Sequence, residues 1–314
     1  MRSRSQPSPL DRRTWIKVAA GAASGVVLGA AGSATPAAEP AKAGGAGSPV
    51  PSSGESAPRA AKTSGFDPIQ LYRKLHFRSD AGLVWWWLEG PKFGQVGTTL
   101  TPLFSMRVGT LQRVTPRADG GFDLTSLEMV FLADLDSGSR LTQWRNPYTG
   151  ETIPVKFAPL GPSTVSYRPD NSRVLPSEIG GARLESSART SAPLVVGDEV
   201  FVRDESTARV FTPGRTTPFE VNDFSTYHGS LRNLTDPTVT MGAATVSFAE
   251  VTGWQRWMNM GERPGNLTSR SSGAKVASFE AMPATWRAML AEVAPQIAAD
   301  PVAALGGPAA RFDR

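Results

Sequence analysis

The chain of 314 residues is long enough for one large domain or two small ones, and its 40% hydrophobic and 19% charged residues are typical of a globular protein. It contains no cysteine, which excludes disulfides, thiolate catalysis and cysteine-ligated metal centres. Of the 33 basic and 28 acidic residues, six basic and two acidic ones lie in residues 1–43, so the remainder carries a net charge of only about +1 and has no basic run of the kind that binds nucleic acid.

Residues 1–43 have the plan of an export signal. The adjacent Arg12 and Arg13 and the following Lys17 precede a run of small and apolar residues, Val18–Ala31. The arginine pair makes this segment resemble a twin-arginine signal, which implies the twin-arginine export machinery as a partner. The apolar run is too short and too rich in glycine for a stable membrane span. We therefore expect a periplasmic or secreted protein with no membrane span after removal of the signal.

The remaining chain divides into a linker, one domain and a tail. Residues 44–65 are rich in Gly, Ser, Ala and Pro, a composition that predicts a flexible linker. A single domain is expected over residues 66–300, followed by a tail over residues 301–314. The domain begins with a short helix, because Asp67 is a suitable N-cap and Pro68 suits the first helical position.

After this helix the sequence predicts a long series of short strands separated by turn signals. Such a series, with almost no helices between the strands, favours an antiparallel sheet that is closed or nearly closed on itself. Closure also removes exposed sheet edges. We therefore predict a mainly β fold, a large antiparallel β-barrel of the lipocalin type or a related calyx. The predicted strands are Leu83–Leu88, Thr99–Val114, Phe122–Leu135, Leu141–Arg145, Ile153–Phe157, Thr164–Tyr167, Arg183–Ser191, Glu199–Asp204, Ala208–Phe211, Phe219–Thr226 and Thr238–Trp254.

The end of the domain changes to a helical period. From Pro283 onwards the apolar residues recur at spacings of three and four, which predicts one amphipathic helix that packs against the barrel or plugs one end of it. The residues of this apolar stripe are Trp286, Met289, Leu290, Val293 and Ile297.

One short stretch, Thr142–Glu151, combines aromatic, cationic and turn-forming residues in the order TQWRNPYTGE. Its Asn-Pro and Thr-Gly pairs are turn signals and predict a hairpin connection. Trp144 and Arg145 precede this turn. If they face the barrel interior, the hairpin positions a binding wall; otherwise it is a corner of the meander.

Four motifs together resemble a bacterial family of exported proteins, the domain of unknown function eighteen-thirty-eight. They are WWWLEG at Trp85–Gly90, LEMVF around Glu128, WRNPYTGE at Trp144–Glu151 and WMNMGERPG at Trp257–Gly265. The resemblance extends from Phe66 to about Ala298. It implies an exported single-domain protein and supplies no catalytic residues.

Several aromatic and methionine residues are candidates for lining a ligand cavity. Alternate residues of a barrel strand point inward, so Trp85 and Trp87 share one face and Trp86 has the other. These rings either line a cavity for a hydrophobic or aromatic molecule or fill a large core. The segment from Trp257 to Lys275 contains adaptable methionines and cations, and its Gly261, Pro264 and Gly265 predict a loop, which either forms a ligand mouth or simply folds over the barrel end. The ligand-binding candidates are Trp85, Trp87, Trp144, Arg145, Trp257, Met258, Met260 and Arg263.

Three residues are candidates for acid/base chemistry. His228 can act as a general base with Tyr227 as hydrogen-bond donor, or it can be a loop histidine bonded to the backbone. Glu128 interrupts an apolar run: pointing inward it would have a raised pKa suited to proton transfer, and pointing outward it would be an ordinary solvated residue. Strand register decides between these two positions. No metal-binding, phosphate-binding or dinucleotide motif occurs, so no metal or cofactor is predicted.

Three functions are compatible with these features. The first is an exported β-barrel that binds a hydrophobic or aromatic small molecule in an internal cavity. The second is a cofactor-free isomerase, lyase or hydrolase that uses His228 and Tyr227 or a buried carboxylate. The third is a structural envelope protein with a solid core and an exposed apolar patch.

Overall fold

A computed structural model describes residues 65–157, 159–174, 177–179, 182–213 and 217–306. The predicted signal and nearly all of the predicted linker lie outside the described residues. The helices are α1 (Pro68–His76), α2 (Leu231–Thr235), α3 (Ala284–Val293), α4 (Pro295–Ala299) and α5 (Pro301–Gly306), with a 3-10 turn at Arg256–Met258. The strands are β1 (Gly82–Val96), β2 (Thr99–Pro116), β3 (Phe122–Ala133), β4 (Gln143–Arg145), β5 (Thr152–Pro154), β6 (Leu160–Tyr167), β7 (Arg173–Val174), β8 (Glu178–Ile179), β9 (Ala182–Thr190), β10 (Leu194–Val196), β11 (Glu199–Phe211), β12 (Phe219–Ser230), β13 (Thr245–Gly253) and β14 (Asn266–Val276).

One curled antiparallel sheet dominates the molecule and forms a half-barrel. Its strand order is β7-β6-β3-β2-β1-β14-β13-β12-β11-β9-β8, with β10 paired to β11, while β4 and β5 form a separate hairpin. The prediction of a mainly β fold with a large antiparallel sheet is confirmed. Among the described strands, β7 and β8 are the two ends of this order, so the sheet has two ends where a closed barrel has none.

The two ends of the sheet are held near each other by the chain and by a buried ion pair. Val174 ends β7 and Glu178 begins β8 four positions later, so their Cα atoms lie at most about 14 Å apart. Arg173 of β7 also pairs with Asp204 of β11, and both side chains are almost fully buried. The half-barrel therefore has an enclosed concave side.

Helix α1 fills part of this concave side. The side chain of Asp67 accepts a hydrogen bond from the backbone N–H of Ile69 at 2.9 Å, which confirms the predicted N-cap. The buried side chains of the helix pack against both arms of the sheet in one apolar cluster. That cluster contains Leu71, Tyr72 and Leu75 of α1, Phe122, Leu124, Val165 and Tyr167 of β3 and β6, and Val200, Val202 and Tyr227 of β11 and β12.

The C-terminal helices cover the convex side of the sheet. Trp286 of α3 packs against β1 and β3, and Gly109 of β2 lies beneath it at a distance that leaves no room for a Cβ atom. The predicted apolar stripe packs on this side, with Val293 half-buried and the other four residues buried, but it belongs to two helices. The break lies at Ala294 because Pro295 has no N–H to donate and restricts the preceding residue. Leu305 of α5 is also buried here, so packed structure continues past the expected boundary at residue 300.

The interpretation of Trp257–Lys275 as a loop is wrong for its second half. Residues Asn266–Val276 form β14, which pairs with both β1 and β13. Its inward positions include Ser269, Ser271 and Gly273, so the strand lacks the apolar alternation that identifies most half-buried strands. Among the residues that the structure describes, no helix is long and apolar enough to cross a membrane.

The buried ion pair makes a testable prediction for stability. Substituting Arg173→Met leaves the Asp204 carboxylate buried without its partner, so we expect the free energy of unfolding to fall by about 3–5 kcal/mol. The double variant Arg173→Met/Asp204→Asn removes the uncompensated charge and should recover most of this loss. Chemical denaturation followed by circular dichroism measures all three proteins.

The exposed pair between Arg183 and Glu185 provides a matched control. Arg183→Met should change the free energy of unfolding by no more than about 1 kcal/mol, because solvent screens this pair. An Arg173→Met loss as small as that of Arg183→Met would contradict the proposed importance of the buried pair.

Candidate functional site

A band of buried polar side chains crosses the concave face between two apolar clusters. The register places Lys92 opposite Ser269, Ser269 opposite Glu250, and Glu250 opposite Asp223 on four successive strands, all on the same face. Glu128 of β3 points into the same interior, because it is one of the alternate residues of that strand that face the concave side. We call this set the interior polar belt; it comprises Lys92, Gln112, Ser126, Glu128, Asp223, Glu250, Thr252, Ser269 and Ser271.

One carboxylate of the belt is fully partnered. Lys92 donates from Nζ to Oε2 of Glu250 at 2.5 Å, and the hydroxyl of Ser269 donates to the same oxygen at 3.3 Å. Both charged groups of this ion pair are at least nine-tenths buried. Removing either member would leave a buried charge alone, so the pair is a rigid feature of the belt.

The other two carboxyl groups of the belt are unpartnered. Glu128 is 3% exposed and Asp223 is 2% exposed, and none of their four carboxyl oxygens has a hydrogen-bond partner within the described structure. Burial raises the pKa of Glu128 well above its ordinary value; Glu250 adds to this rise and Lys92 opposes it. Burial likewise raises the pKa of Asp223 well above its ordinary value; Glu250, Glu128 and Asp204 add to this rise and Lys92 opposes it. Both groups are therefore poised to hold a proton at a pH where ordinary carboxyls are ionised.

Four further polar atoms of the belt also have no hydrogen-bond partner among the described residues. They are Oε1 of Gln112 and the hydroxyl oxygens of Ser126, Thr252 and Ser271. Buried polar atoms in folded proteins nearly always have hydrogen-bond partners, so this concentration on one face makes the belt the candidate ligand site. Among the residues described, no group of three or more histidine, aspartate or glutamate side chains is arranged to hold a metal ion.

A second buried network joins helix α1 to the belt. The hydroxyl of Tyr72 donates to Oδ2 of Asp204 at 3.0 Å and lies 2.8 Å from Nδ1 of His76. Because the single tyrosine proton goes to Asp204, the imidazole donates from Nδ1. Burial, with Arg173 and Lys275 nearby, holds the pKa of His76 well below its ordinary value, so the ring is neutral. It stacks between Phe77 and Tyr227, at centroid distances of 3.9 and 4.0 Å.

The hairpin β4–β5 and the 3-10 turn together close the other end of the concave side. Asn146 is fully buried and donates from Nδ2 to the backbone oxygen of Met258 at 2.7 Å, which ties the hairpin to the turn. The structure thus brings together the predicted residues Trp144, Trp257, Met258 and Met260, in one cluster with Phe104. The side chains of Arg145 and Arg263 are exposed and do not join this cluster.

The three consecutive tryptophans alternate as predicted. Trp85 and Trp87 lie on the convex side in the cluster beneath the C-terminal helices. Trp86 lies on the concave side, where its indole N–H donates to the backbone oxygen of His76 at 3.1 Å. The concave member of the triplet is thus the one that was not among the ligand-binding candidates.

The predicted catalytic pair lies on opposite faces of β12. Tyr227 faces the concave side, with its ring on His76. His228 faces the convex side, where its ring nitrogens lie against Glu199 and, at 3.3 Å, the hydroxyl of Thr245. The backbone alternation prevents a joint role for the two residues at one site. Glu128 shares the concave face with Tyr227.

Most of the residues that accompany Glu128 in the interior were not predicted from the sequence. The sequence of β12 does contain a signal for Asp223. Val221, Asp223, Ser225 and Tyr227 are alternate residues of one strand, so Asp223 is expected on the same buried face as Val221 and Tyr227. No comparable signal marks Lys92, because it lies next to the irregularity between Lys92 and Phe93 in the pairing of β1 with β2. The missed residues are Lys92, Gln112, Arg173, Asp204 and Asp223.

The raised pKa of Glu128 predicts a pH-dependent effect on stability. Above the ordinary pKa of 4.5 the unfolded chain loses this proton while the folded protein keeps it. The free energy of unfolding therefore falls as pH rises, by at most about 1.4 kcal/mol per pH unit, until the folded carboxyl also ionises. Glu128→Gln should remove this slope, so the variant gains stability over the wild type as pH rises. Urea denaturation at a series of pH values measures the difference.

Glu262→Gln serves as the control for this pH series because Glu262 is exposed. The difference in free energy of unfolding between Glu262→Gln and the wild type should stay constant across the same pH range. A flat difference for Glu128→Gln as well would show that burial does not shift the pKa of this carboxyl.

Comparison with known proteins agrees with the motifs found in the sequence. No curated protein and no solved structure matches the chain. The family described as a protein of unknown function, DUF1838, matches residues 82–308, from the first strand through the C-terminal helices. This match covers more than half of the chain and confirms the resemblance seen in the four motifs. The chain therefore belongs to the DUF1838 family.

Proposed function

We propose that the protein binds a small molecule inside its curled sheet, at the interior polar belt. The observation that carries this proposal is the pair of buried, unpartnered carboxyl groups of Glu128 and Asp223. An unmet hydrogen-bonding group in a protein interior is unfavourable by about 1–3 kcal/mol, and more when it is charged. A ligand that supplies partners to several of these groups would recover that energy on binding.

The surroundings of the belt support a ligand with both apolar and polar parts. Trp86, Tyr227 and Phe248 border the belt on the side of α1, and Phe104 borders it on the side of the hairpin. Most ligand pockets combine apolar walls with a few placed polar groups. The expected hydrophobic or aromatic molecule in a calyx thus becomes, in this proposal, a molecule whose apolar body packs on these rings and whose polar group meets the belt.

Acid/base catalysis by a buried carboxyl is the second candidate. It is favoured by the raised pKa values of Glu128 and Asp223, which would let one group hold a proton for transfer at a pH where an ordinary carboxyl group is ionised. An isomerase, lyase or hydrolase of this kind would use the same interior as the binding protein. Chemical conversion of the bound molecule by the wild type, but not by Glu128→Gln, would distinguish catalysis from binding alone.

Native mass spectrometry of the exported protein from its native host tests the binding proposal. We expect a small-molecule adduct on the wild type and at least about tenfold lower occupancy on Glu128→Gln/Asp223→Asn, because two direct contacts worth about 1.4 kcal/mol or more together are lost. Extraction and fragmentation of the adduct would identify it. The control Glu262→Gln should keep the wild-type occupancy.

Equal occupancy in the wild type and the double variant would place the ligand elsewhere and contradict the proposal. So would the absence of any adduct from protein that is correctly folded by circular dichroism. Substitution by the amides should preserve the fold, because an amide is uncharged like a protonated carboxyl group and has nearly the same volume.

We further propose that the chain is exported by the twin-arginine route to the periplasm or the medium. The support is the sequence of residues 1–43, with Arg12 and Arg13 ahead of the apolar run. Arg12→Lys/Arg13→Lys should leave the chain in the cytoplasm with its leader attached, as measured by immunoblotting of cell fractions. Unchanged export of this variant would contradict the twin-arginine route.

A further inference from the structure

We infer that the ligand of the interior polar belt carries a positively charged nitrogen group, a primary ammonium or a guanidinium, which binds between Glu128 and Asp223. This inference rests on the proposed function and names the chemical class of the molecule that the site takes. Two observations support it: the belt has more carboxyl groups than cations, and most of its unpartnered polar atoms are hydrogen-bond acceptors.

The belt contains more carboxyl groups than cations. Glu128, Asp223 and Glu250 face a single ammonium, that of Lys92, which is already paired with Glu250. The neighbouring Asp204 is neutralised by Arg173. Ionising Glu128 and Asp223 in this dry interior is unfavourable unless a cation accompanies them. A cationic ligand supplies the charge that the described side chains do not.

The unpartnered atoms of the belt are mostly acceptors. The four carboxyl oxygens and Oε1 of Gln112 accept hydrogen bonds when the carboxyls are ionised, and the hydroxyls of Ser126, Thr252 and Ser271 can also accept. The side chain of Gln112 is 1% exposed and belongs to no acidic pair, so it is an independent indication that the interior requires donors. An ammonium offers three donors and a guanidinium five.

The same interior already holds an ammonium group in a comparable way. Lys275 projects from β14 to the concave side of the sheet. Its Nζ donates to the backbone oxygens of Lys74, Phe77 and Gly242 at 2.8, 3.0 and 3.1 Å. Its ammonium also lies 5.4 Å from the centroid of the Trp86 ring. Lys92 is held by a carboxylate and a serine. Burial lowers the pKa of Lys275 well below its ordinary value, but three donated hydrogen bonds require the three N–H groups of an ammonium. Acceptors and aromatic faces are therefore the means by which this fold accommodates buried nitrogen cations.

Other ligand charges fit the belt less well. An anion would oppose ionisation of Glu128 and Asp223, and a neutral molecule would leave the ionised forms of these two carboxyl groups without a compensating charge. The unpartnered oxygens come from β2, β3, β12, β13 and β14, which suits a group with several directed donors better than a point charge. A metal ion is therefore an alternative outcome of the test rather than the inferred ligand.

Guanidinium and urea form a matched pair of probes, because they share a planar shape and differ in charge. The full-length protein is heated with millimolar guanidinium, methylammonium or urea at equal ionic strength, and the melting temperature is recorded. We expect both cations to raise it by a few degrees and urea to leave it unchanged, since a ligand that binds only the folded state stabilises that state. The rise should disappear in Glu128→Gln/Asp223→Asn and persist in the control Glu262→Gln.

The inference is overturned if urea acts like guanidinium, if neither cation raises the melting temperature, or if the rise persists in Glu128→Gln/Asp223→Asn. Stabilisation by magnesium or calcium ions alone, in the absence of an effect of the organic cations, would also overturn it. A neutral or anionic adduct that depends on Glu128 and Asp223 would sink this inference while leaving the proposed binding function intact. Absence of both the adduct and the cation effect in the wild type would remove both proposals.

Discussion

The ion pair between Arg173 and Asp204 is the interaction on which the enclosed interior depends. It joins a strand at one end of the sheet to the opposite arm, and Tyr72 adds helix α1 to the same carboxylate. A buried charge pair tolerates little displacement, because either charge alone would be strongly unfavourable. The pair therefore fixes the curvature of the sheet and the position of α1 together. Without that enclosure the concave face would be wet and its polar residues unremarkable.

Enclosure gives the interior polar belt its chemistry. The same carboxyls on an open sheet would be solvated, paired with water and ionised at neutral pH. Between two apolar clusters they are buried, and burial together with Glu250 raises the pKa of Glu128 and of Asp223 while Lys92 opposes the rise. Folded interiors usually exclude such groups unless they are paired. A belt with one paired and two unpaired carboxyls is thus a feature that folding alone does not require, which is why we assign it to ligand recognition.

Local patterns in the sequence predicted much of the architecture. The alternation of Trp85, Trp86 and Trp87, the N-cap at Asp67 and the apolar stripe of the C-terminal helices all depend on neighbours within a few residues, and the structure has them as predicted. Strand β14 escaped prediction because serine and glycine occupy its inward positions. The C-terminal stripe was predicted as one helix because its period continues across Pro295, where the backbone cannot.

By itself the sequence determined the composition of the domain, its antiparallel character, its family and the apolar faces of most elements, because these depend on short-range periodicity. Only the tertiary structure decided that Glu128 points inward, that His228 and Tyr227 separate, and that Asp223 and Lys92 meet Glu250. The physical reason is register: a shift of one residue exchanges the two faces of a strand. Which strands then become neighbours across the curled sheet depends on contacts between residues far apart in the chain.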